Sequence, residues 1–496
     1  MASPDAIGPI GLIRRAAAAA PDRTAVTADG ATGPSWSEFD ARVDALAAGL
    51  RSLPLAAGER VVLQLGNGID LPLAYFAVLL AGLIAVPVDP RCADELLHHI
   101  VSRTKAVAIV TSRVQSIEAA PRLGLRSVIV PRASDAGDAA SFDELAGRGG
   151  RVTDLPGPDD IAAIVFTGKS GIHQRGAALT HRALGAAIEQ ARGARPPILG
   201  ADDVVLVAAP LFHPVGLMAG VGLAAATAAT VVLPAAGAEC TLAELADRRP
   251  SVVVGVPLAY AAWAAAGNAA LATAFASVRR AISAGAPLPA VAAARIAAAT
   301  TVTVRDSYGL AEAGPLLTLA DDSCEPGSVG RPLPGVELEL RDDRGFRVDD
   351  GDPGEIVVRS ASLFSGYWPN RADRPADDGW FATGDLGYLD VAGGVHLVGR
   401  RQDRALVRGF PVYPAEVEAA LTSHPGVAEA VVTADDAQAV RAFVVPRPGV
   451  ALDVEDLRGW TDRRLAAFKR PAEIWVVDVL PHSATGKVRR PTGDDR

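Results

Sequence analysis

A chain of 496 residues is too long for one ordinary core; at about 100–200 residues per domain, roughly two to four packing units are expected. Hydrophobic residues make up 49% and charged residues 21%, which excludes a disordered chain, and aromatics at 5% leave the cores to Ala, Val and Leu. A net charge of −9 excludes broad nucleic-acid binding but leaves room for a small basic nucleotide pocket. The opening segment lacks the continuous apolar run of a secretory leader, and Ile10 to Ala20 predicts a short amphipathic helix. Cys92, Cys240 and Cys324 have no metal-ligand spacing and fit a reducing, cytoplasmic compartment.

In chain order, Phe39, Val43, Leu46 and Leu50 stand at helical spacing within Trp36 to Leu50, and Glu59 to Leu65 reads as a strand. Leu71 to Leu83 is a buried helix before the apolar run Ile84 to Val88. His98 to Thr104 leads into a strand over Ala106 to Val110. Further strands are expected at Ser127–Val130, Ile161–Phe166, Val204–Ala208 and Val252–Val256. Repeated strand–helix–strand order with apolar strands predicts parallel sheet covered by helices, an α/β region. Val204 to Ala238 has no Asp, Glu, Lys or Arg, but Pro210, His213 and Pro214 favour a buried loop–helix–strand passage over a membrane span.

After Gly330 to Gly335 the texture changes. Short strands at Glu337–Leu340, Glu355–Val358 and His396–Val398, separated by glycine turns, predict a small antiparallel or barrel-like lobe. A last boundary near Gly399 to Asp403 divides residues 1–399 from an α+β domain of residues 400–496. Its expected parts are a Pro414–Leu421 helix, strands at Val427–Val432 and Ala442–Val445, a Val454–Ala466 helix and a strand over Ile474–Val479.

The run from Ile164 to Gly176 begins as a strand and becomes a glycine-bearing loop, with a helix starting near Arg182. Gly168, Gly171 and Gly176 would let backbone N–H groups converge on phosphate oxygens. Thr167 and Ser170 add hydroxyls, and Lys169 and Arg175 add positive charge. It is not a Walker A loop, because Ala163 stands where that motif requires glycine. A solvent-exposed glycine loop is the plain alternative.

The landmarks taken together change that balance. Thr167-Gly168-Lys169-Ser170-Gly171 with Gln174-Arg175-Gly176, Pro210-Leu211-Phe212-His213, Ala284-Gly285-Ala286, Tyr308-Gly309-Leu310-Ala311-Glu312, Thr383-Gly384-Asp385, Gly399-Arg400, the Gly409 to Glu418 segment and Ser483-Ala484-Thr485-Gly486-Lys487 follow one another in order. In that order the chain resembles the adenylate-forming superfamily of acyl-CoA synthetases, aryl-CoA ligases and nonribosomal peptide adenylation domains. Lys169, Arg175, Ala311 and Gln402 depart from the usual residues.

The resemblance implies a large ATP- and acyl-binding region, a mobile C-terminal lid, and an ATP-dependent acid–thiol ligase that forms an acyl-adenylate. Lys487 would bridge the attacking carboxylate and the phosphate; a solvated tail lysine is its structural alternative. Glu312 would hold Mg²⁺, or else cap a following helix. Thr167, Gly168, Lys169, Ser170, Gly171 and Arg175 would cradle phosphates, and Gly285, Ala286, Tyr308 and Gly309 would face adenine. Tyr308 could instead be a core residue. Asp385 would accept ribose hydroxyls or cap its turn. Arg400 would approach ribose or phosphate, or pair with Asp403.

The acyl pocket implied by the resemblance draws on His213, Val215, Gly216, Val256, Ala284, Gly285 and Leu310. These are mostly small or apolar, which points to a medium-chain or aromatic acid. His213 stands at the boundary between acyl pocket and thiol access, with a structural histidine as its alternative. Gln402 occupies the hinge position and Gly409 the thiol path. CoA is the expected acceptor. A carrier-protein phosphopantetheine thiol is an alternative acceptor, and a noncatalytic nucleotide- or adenylate-binding protein a further alternative.

Overall fold

The computed structural model describes residues 8–28, 33–132, 139–167, 174–234, 237–349, 351–403, 405–407, 410–434, 440–447 and 449–481. The chain forms two compact units. One comprises Met1–Asp321, Gly330–Glu337 and Arg359–Phe381; the other comprises Asp322–Val329, Leu338–Val358 and Ala382–Arg496.

The first unit is built on two sheets. Its strands are β1 (Val26–Ala28), β2 (Arg60–Gln64), β3 (Ile84–Pro87), β4 (Ala108–Thr111), β5 (Ser127–Val130), β6 (Ala140–Ser141), β7 (Ile161–Phe166) and β8 (Gly176–Thr180). There follow β9 (Val204–Ala208), β10 (Thr230–Leu233), β11 (Val252–Gly255), β12 (Arg280–Ser283) and β13 (Val304–Asp306). One sheet has seven strands in the order β6-β5-β4-β2-β3-β7-β8, and the other has six in the order β1-β10-β9-β11-β12-β13. The six-stranded sheet is parallel throughout. In the seven-stranded sheet only β8 runs antiparallel, folding back on β7.

The local chemistry accounts for the helices. The Trp36–Arg51 helix starts at a capping box in which Ser35 accepts from the Glu38 N–H and Glu38 accepts from the Ser35 N–H. The expected helix over Leu71 to Leu83 spans Asp70–Leu80 and stops before Gly82, whose φ of 78° favours glycine. The charge-free Val204 to Ala238 passage folds as β9, a turn, a π-helix over Val215–Gly222, a Leu223–Thr227 helix and β10. Among the described residues no helix is long and apolar enough to cross a membrane.

Two features brace the six-stranded sheet. At its N-terminal edge Asp203, just before β9, accepts from the Ser251 hydroxyl at 2.7 Å and the Gly200 N–H at 2.6 Å. The same carboxylate pairs with Arg279, just before β12. Below the C-terminal ends, Tyr260 and Trp263 are buried edge-to-face at 5.3 Å, and the Tyr260 hydroxyl donates to the Ile282 carbonyl at 2.8 Å. Each such ring contributes about 2–3 kcal/mol of burial. In an open parallel α/β sheet the crevice at the C-terminal ends of the strands is the usual ligand site.

β14 (Thr318–Leu319) and β15 (Arg331–Pro332) form a small antiparallel pair. β16 (Val336–Arg341), β17 (Gly354–Ser360), β18 (Trp380–Leu389) and β19 (Val395–Arg400) make a four-stranded sheet in that order, most of it in the second unit. Farther on, β20 (Ala405–Val407) and β21 (Phe410–Val412) form a two-stranded sheet. β22 (Val427–Ala434), β23 (Val440–Pro446) and β24 (Glu473–Val476) form a three-stranded sheet, antiparallel then parallel. Val417 and Leu421 from the Pro414–Thr422 helix and Leu457 from the Val454–Asp462 helix pack on its core. The latter helix ends four residues before the expected Ala466, and after a turn the chain enters a 3₁₀ turn at Ala467–Lys469.

Candidate active site

Four adjacent parallel strands, β9, β11, β12 and β13, deliver most of the expected pocket residues at their C-terminal ends. β9 leads through Pro210 to His213, Val215 and Gly216. β11 leads to Val256, whose N–H donates to the Ala208 carbonyl at 3.1 Å. β12 leads to Ala284, Gly285 and Ala286, and β13 to Tyr308, Gly309 and Leu310. Ala284, Val256 and Val215 are fully buried, while Gly285 is exposed with a φ of 93°. A Cβ on Gly216 would lie 2.4 Å from the Pro210 carbonyl oxygen, so only glycine permits that close approach.

Tyr308 is buried and pinned by its backbone. Its N–H donates to the Thr318 hydroxyl at 3.2 Å, and its carbonyl accepts from Leu317 and Thr318. A Cβ on Gly309 would meet the Pro315 carbonyl oxygen at 2.2 Å. The following segment is a turn closed by the Leu310 N–H donating to Gly314, and it carries Glu312. No helix starts there, so the expectation that Glu312 could cap one is corrected: its carboxylate accepts a hydrogen bond from the Tyr367 hydroxyl instead.

His213 is half-buried at the head of the π-helix. Its Nδ1 accepts from the Val215 N–H at 3.3 Å, which leaves the proton of the neutral ring on Nε2. Burial pushes its pKa down to about 4, so it carries no charge near neutrality. His181, at the start of the His181–Arg192 helix, is buried and held down to about 4 for the same reason.

The glycine loop lies outside the described residues at Gly168, Lys169, Ser170 and Gly171, but its neck is visible. The Thr167 N–H donates to the Arg175 carbonyl at 2.9 Å, and the Arg175 N–H donates to the Thr167 hydroxyl at 3.2 Å. The loop therefore joins two antiparallel strands. Gly176, expected as the end of the loop, instead opens strand β8, Gly176 to Thr180, which pairs along β7 before the His181–Arg192 helix. The Arg175 side chain pairs with Asp373 at 2.6 Å and lies over the Tyr367 ring, 3.4 Å from its centroid.

In the second unit, antiparallel register sets Asp385 opposite Arg400 and joins them in an ion pair of 3.1 Å. The expected alternative partner for Arg400, Asp403, is thereby replaced by Asp385. In the turn at Gly384 the Thr383 hydroxyl accepts from the Asp385 N–H at 3.1 Å. Gln402 is exposed in a 3₁₀ turn, Arg401–Asp403. Gly409 and Lys487 lie outside the described residues.

Two residues escaped the sequence reading. Asp306 ends β13, two residues before Tyr308, and its oxygens accept from the Leu288 N–H at 3.2 Å and the Ser307 N–H at 3.0 Å. Burial raises its pKa to about 7. The available signal was a carboxylate two residues before the Tyr308-Gly309 pair. Tyr367 had none, since its partners are distant in sequence. Magnesium fits the chemistry here: Glu312 supplies a half-exposed hard oxygen donor, with one oxygen anchored by the phenol of Tyr367, whose ring carries Arg175 at the neck of the glycine loop.

A family model described as AMP-binding enzyme matches residues 13–368, and one described as AMP-binding enzyme C-terminal domain matches residues 416–487. The chain is 32% identical over 490 residues to a feruloyl-CoA synthase of Amycolatopsis sp, covering 96% of each protein. It is 31% identical over 506 residues to a long-chain-fatty-acid–CoA ligase of Yersinia pestis, covering 92% of this chain and 88% of that relative. Its structure is similar to that of ATP-bound MatB from Rhodopseudomonas palustris, with a TM-score of 0.87, 28% identity and 97% of each chain covered.

Proposed function

Because the chain belongs to the AMP-binding enzymes and is an ATP-dependent, AMP-forming ligase of the acyl-CoA synthetase type, we propose that it activates a medium-chain or aromatic carboxylic acid and transfers the acyl group to CoA. The observation that carries this reading is the apolar, small-residue C-terminal edge of β9, β11, β12 and β13, which ends in Tyr308 and the Glu312 turn. A feruloyl-CoA synthase and a long-chain-fatty-acid–CoA ligase among the relatives support an aromatic or an aliphatic acid, without fixing the chain length, and the choice of CoA over a carrier-protein thiol.

In the first step a carboxylate oxygen attacks the α-phosphorus of ATP, the bond to the β-phosphate breaks and pyrophosphate leaves. In the second the CoA sulfur attacks the acyl carbon, its proton passes to solvent and AMP leaves. A carboxylate resists a thiol because of its charge and resonance, so coupling to AMP supplies the leaving group. The chain's part is positioning and charge stabilisation.

Val215, Gly216, Val256, Ala284 and Leu310 would line the acyl group, with neutral His213 at the boundary with the thiol path. Tyr308, Gly285 and Ala286 would face adenine, and Asp306 would accept from its amine. Asp385 and Arg400 would take ribose hydroxyls and phosphate. The loop from Thr167 through Gly168, Lys169, Ser170 and Gly171 to Arg175 would donate to the phosphates, and Glu312 would hold magnesium. Magnesium, when bound, offsets phosphate charge. Lys487 would bridge carboxylate and phosphate, and residues 400–496 would swing about Gln402 to bring Gly409 to the thiol path.

The test is pyrophosphate release across aliphatic and aromatic acids, with mass detection of products with and without CoA. Acid-dependent release with acyl-CoA formed only when CoA is present supports the reading. ATP binding without acid-dependent turnover on any acid would replace it with a nucleotide-binding role.

A further inference from the structure

The segment Phe364 to Trp368 joins two parts of the first unit that are far apart in sequence. Along β8, the Ser365 N–H donates to the Ala178 carbonyl at 2.9 Å, the Ala178 N–H to Gly366 at 3.1 Å and the Trp368 N–H to Gly176 at 2.8 Å. Tyr367 is thereby set directly opposite Ala177. At the other end, the Phe364 N–H donates to the Glu312 carbonyl at 2.7 Å. Gly366 allows this path: its φ is 114°, and a Cβ there would meet the Arg371 carbonyl oxygen at 2.5 Å.

The side chain of Tyr367 completes the same link. Its hydroxyl donates to Oε1 of Glu312, its ring packs edge-on against buried Phe364 at 4.9 Å, and its face carries the Arg175 guanidinium. Asp373 fixes the far side of that guanidinium. A carboxylate with one oxygen engaged by a phenol presents the other in a defined direction. A guanidinium held between an aromatic face and a carboxylate loses much of its rotamer freedom.

Resting on the reading of Glu312 as the magnesium carboxylate, we propose that Tyr367 is a positioning residue that aims Glu312 at the cation and steadies Arg175 at the neck of the phosphate loop. One side chain thus couples the cation carboxylate to the loop that receives the phosphates. Outer hydrogen-bond partners of this kind are worth roughly 10–100-fold in metal affinity.

The experiment is equilibrium binding of Mn²⁺, followed by electron paramagnetic resonance, to the full chain saturated with α,β-methylene-ATP. Tyr367→Phe keeps the ring and removes the hydroxyl, so the Mn²⁺ dissociation constant should rise roughly 10-fold, with melting temperature and analogue affinity without metal unchanged. Tyr367→Leu should show the same Mn²⁺ loss and also weaken the analogue without metal, because Arg175 loses its platform. Glu312→Gln is the control. Wild-type Mn²⁺ affinity in Tyr367→Phe, with affinity lost in Glu312→Gln, overturns the positioning role and leaves the magnesium reading intact. Wild-type affinity in both overturns the magnesium reading and the proposal with it. Should Tyr367→Leu fail to fold, Tyr367→Phe decides the matter alone.

Discussion

Gly309→Ala is the sharpest steric probe of the turn that carries Glu312. The added Cβ would lie 2.2 Å from the Pro315 carbonyl oxygen, 2.3 Å from its carbon and 2.7 Å from the Gly314 carbonyl oxygen. All three are backbone atoms, and real Cβ contacts below 3.0 Å are essentially never seen. No side chain can rotate away, so the turn must retreat by about 1 Å, and misplacement on that scale costs roughly 100-fold in rate, or about 2.7 kcal/mol of barrier. The Tyr308 backbone remains tied to Leu317 and Thr318, so the fold should survive. The assay is acid-dependent ATP–pyrophosphate exchange beside a thermal melt. Exchange reduced roughly 100-fold in a protein that still melts cooperatively is expected. Wild-type exchange would refute the claim that the Leu310–Gly314 turn sets the reacting geometry.

Three further outcomes follow from the same arrangement. Asp306 binds its proton more tightly when folded, with a pKa near 7 against 3.8 for the free side chain, so its ionisation destabilises the fold progressively as pH rises through that window. Asp306→Asn should lose that slope, gaining on the wild type by up to about 4 kcal/mol between pH 4 and 7, offset by about 1 kcal/mol at all pH for one lost backbone acceptor; parallel wild-type and variant melts across the window contradict this. Lys487→Ala should depress adenylate formation by roughly 100-fold or more while thioester formation from supplied acyl-adenylate changes little, and equal loss in both half-reactions contradicts the role. Gln402→Pro should impair thiol transfer more than adenylation, as read by separate half-reaction rates, and unchanged transfer removes the hinge assignment.

Much of the scaffold was legible because it depends on local chemistry. The apolar runs of β2, β4, β5, β7, β9 and β11 and the spacing of Phe39, Val43, Leu46 and Leu50 announce strands and a helix without tertiary help. β8 did not announce itself, because Gly176, Ala177 and Ala178 have weak strand preference and form a strand only by pairing with β7 and the Ser365–Trp368 segment. The π-helix over Val215–Gly222 is buried on all sides, so it shows no amphipathic period. The tying of Glu312 and Arg175 through Tyr367 and Asp373 could not be read because its members are 55 and 198 residues apart. The pairing of Asp385 with Arg400 required the β18–β19 register, which spacing alone does not supply.

The most direct measurement uses a carboxylic acid carrying ¹⁸O in both oxygens, with mass analysis of the AMP formed during turnover with CoA. Attack of the carboxylate on the α-phosphorus transfers one labelled oxygen to phosphorus, and cleavage by the thiol leaves it there, so AMP should gain a single ¹⁸O. Unlabelled AMP, or label recovered in phosphate beside ADP, would contradict an acyl-adenylate route.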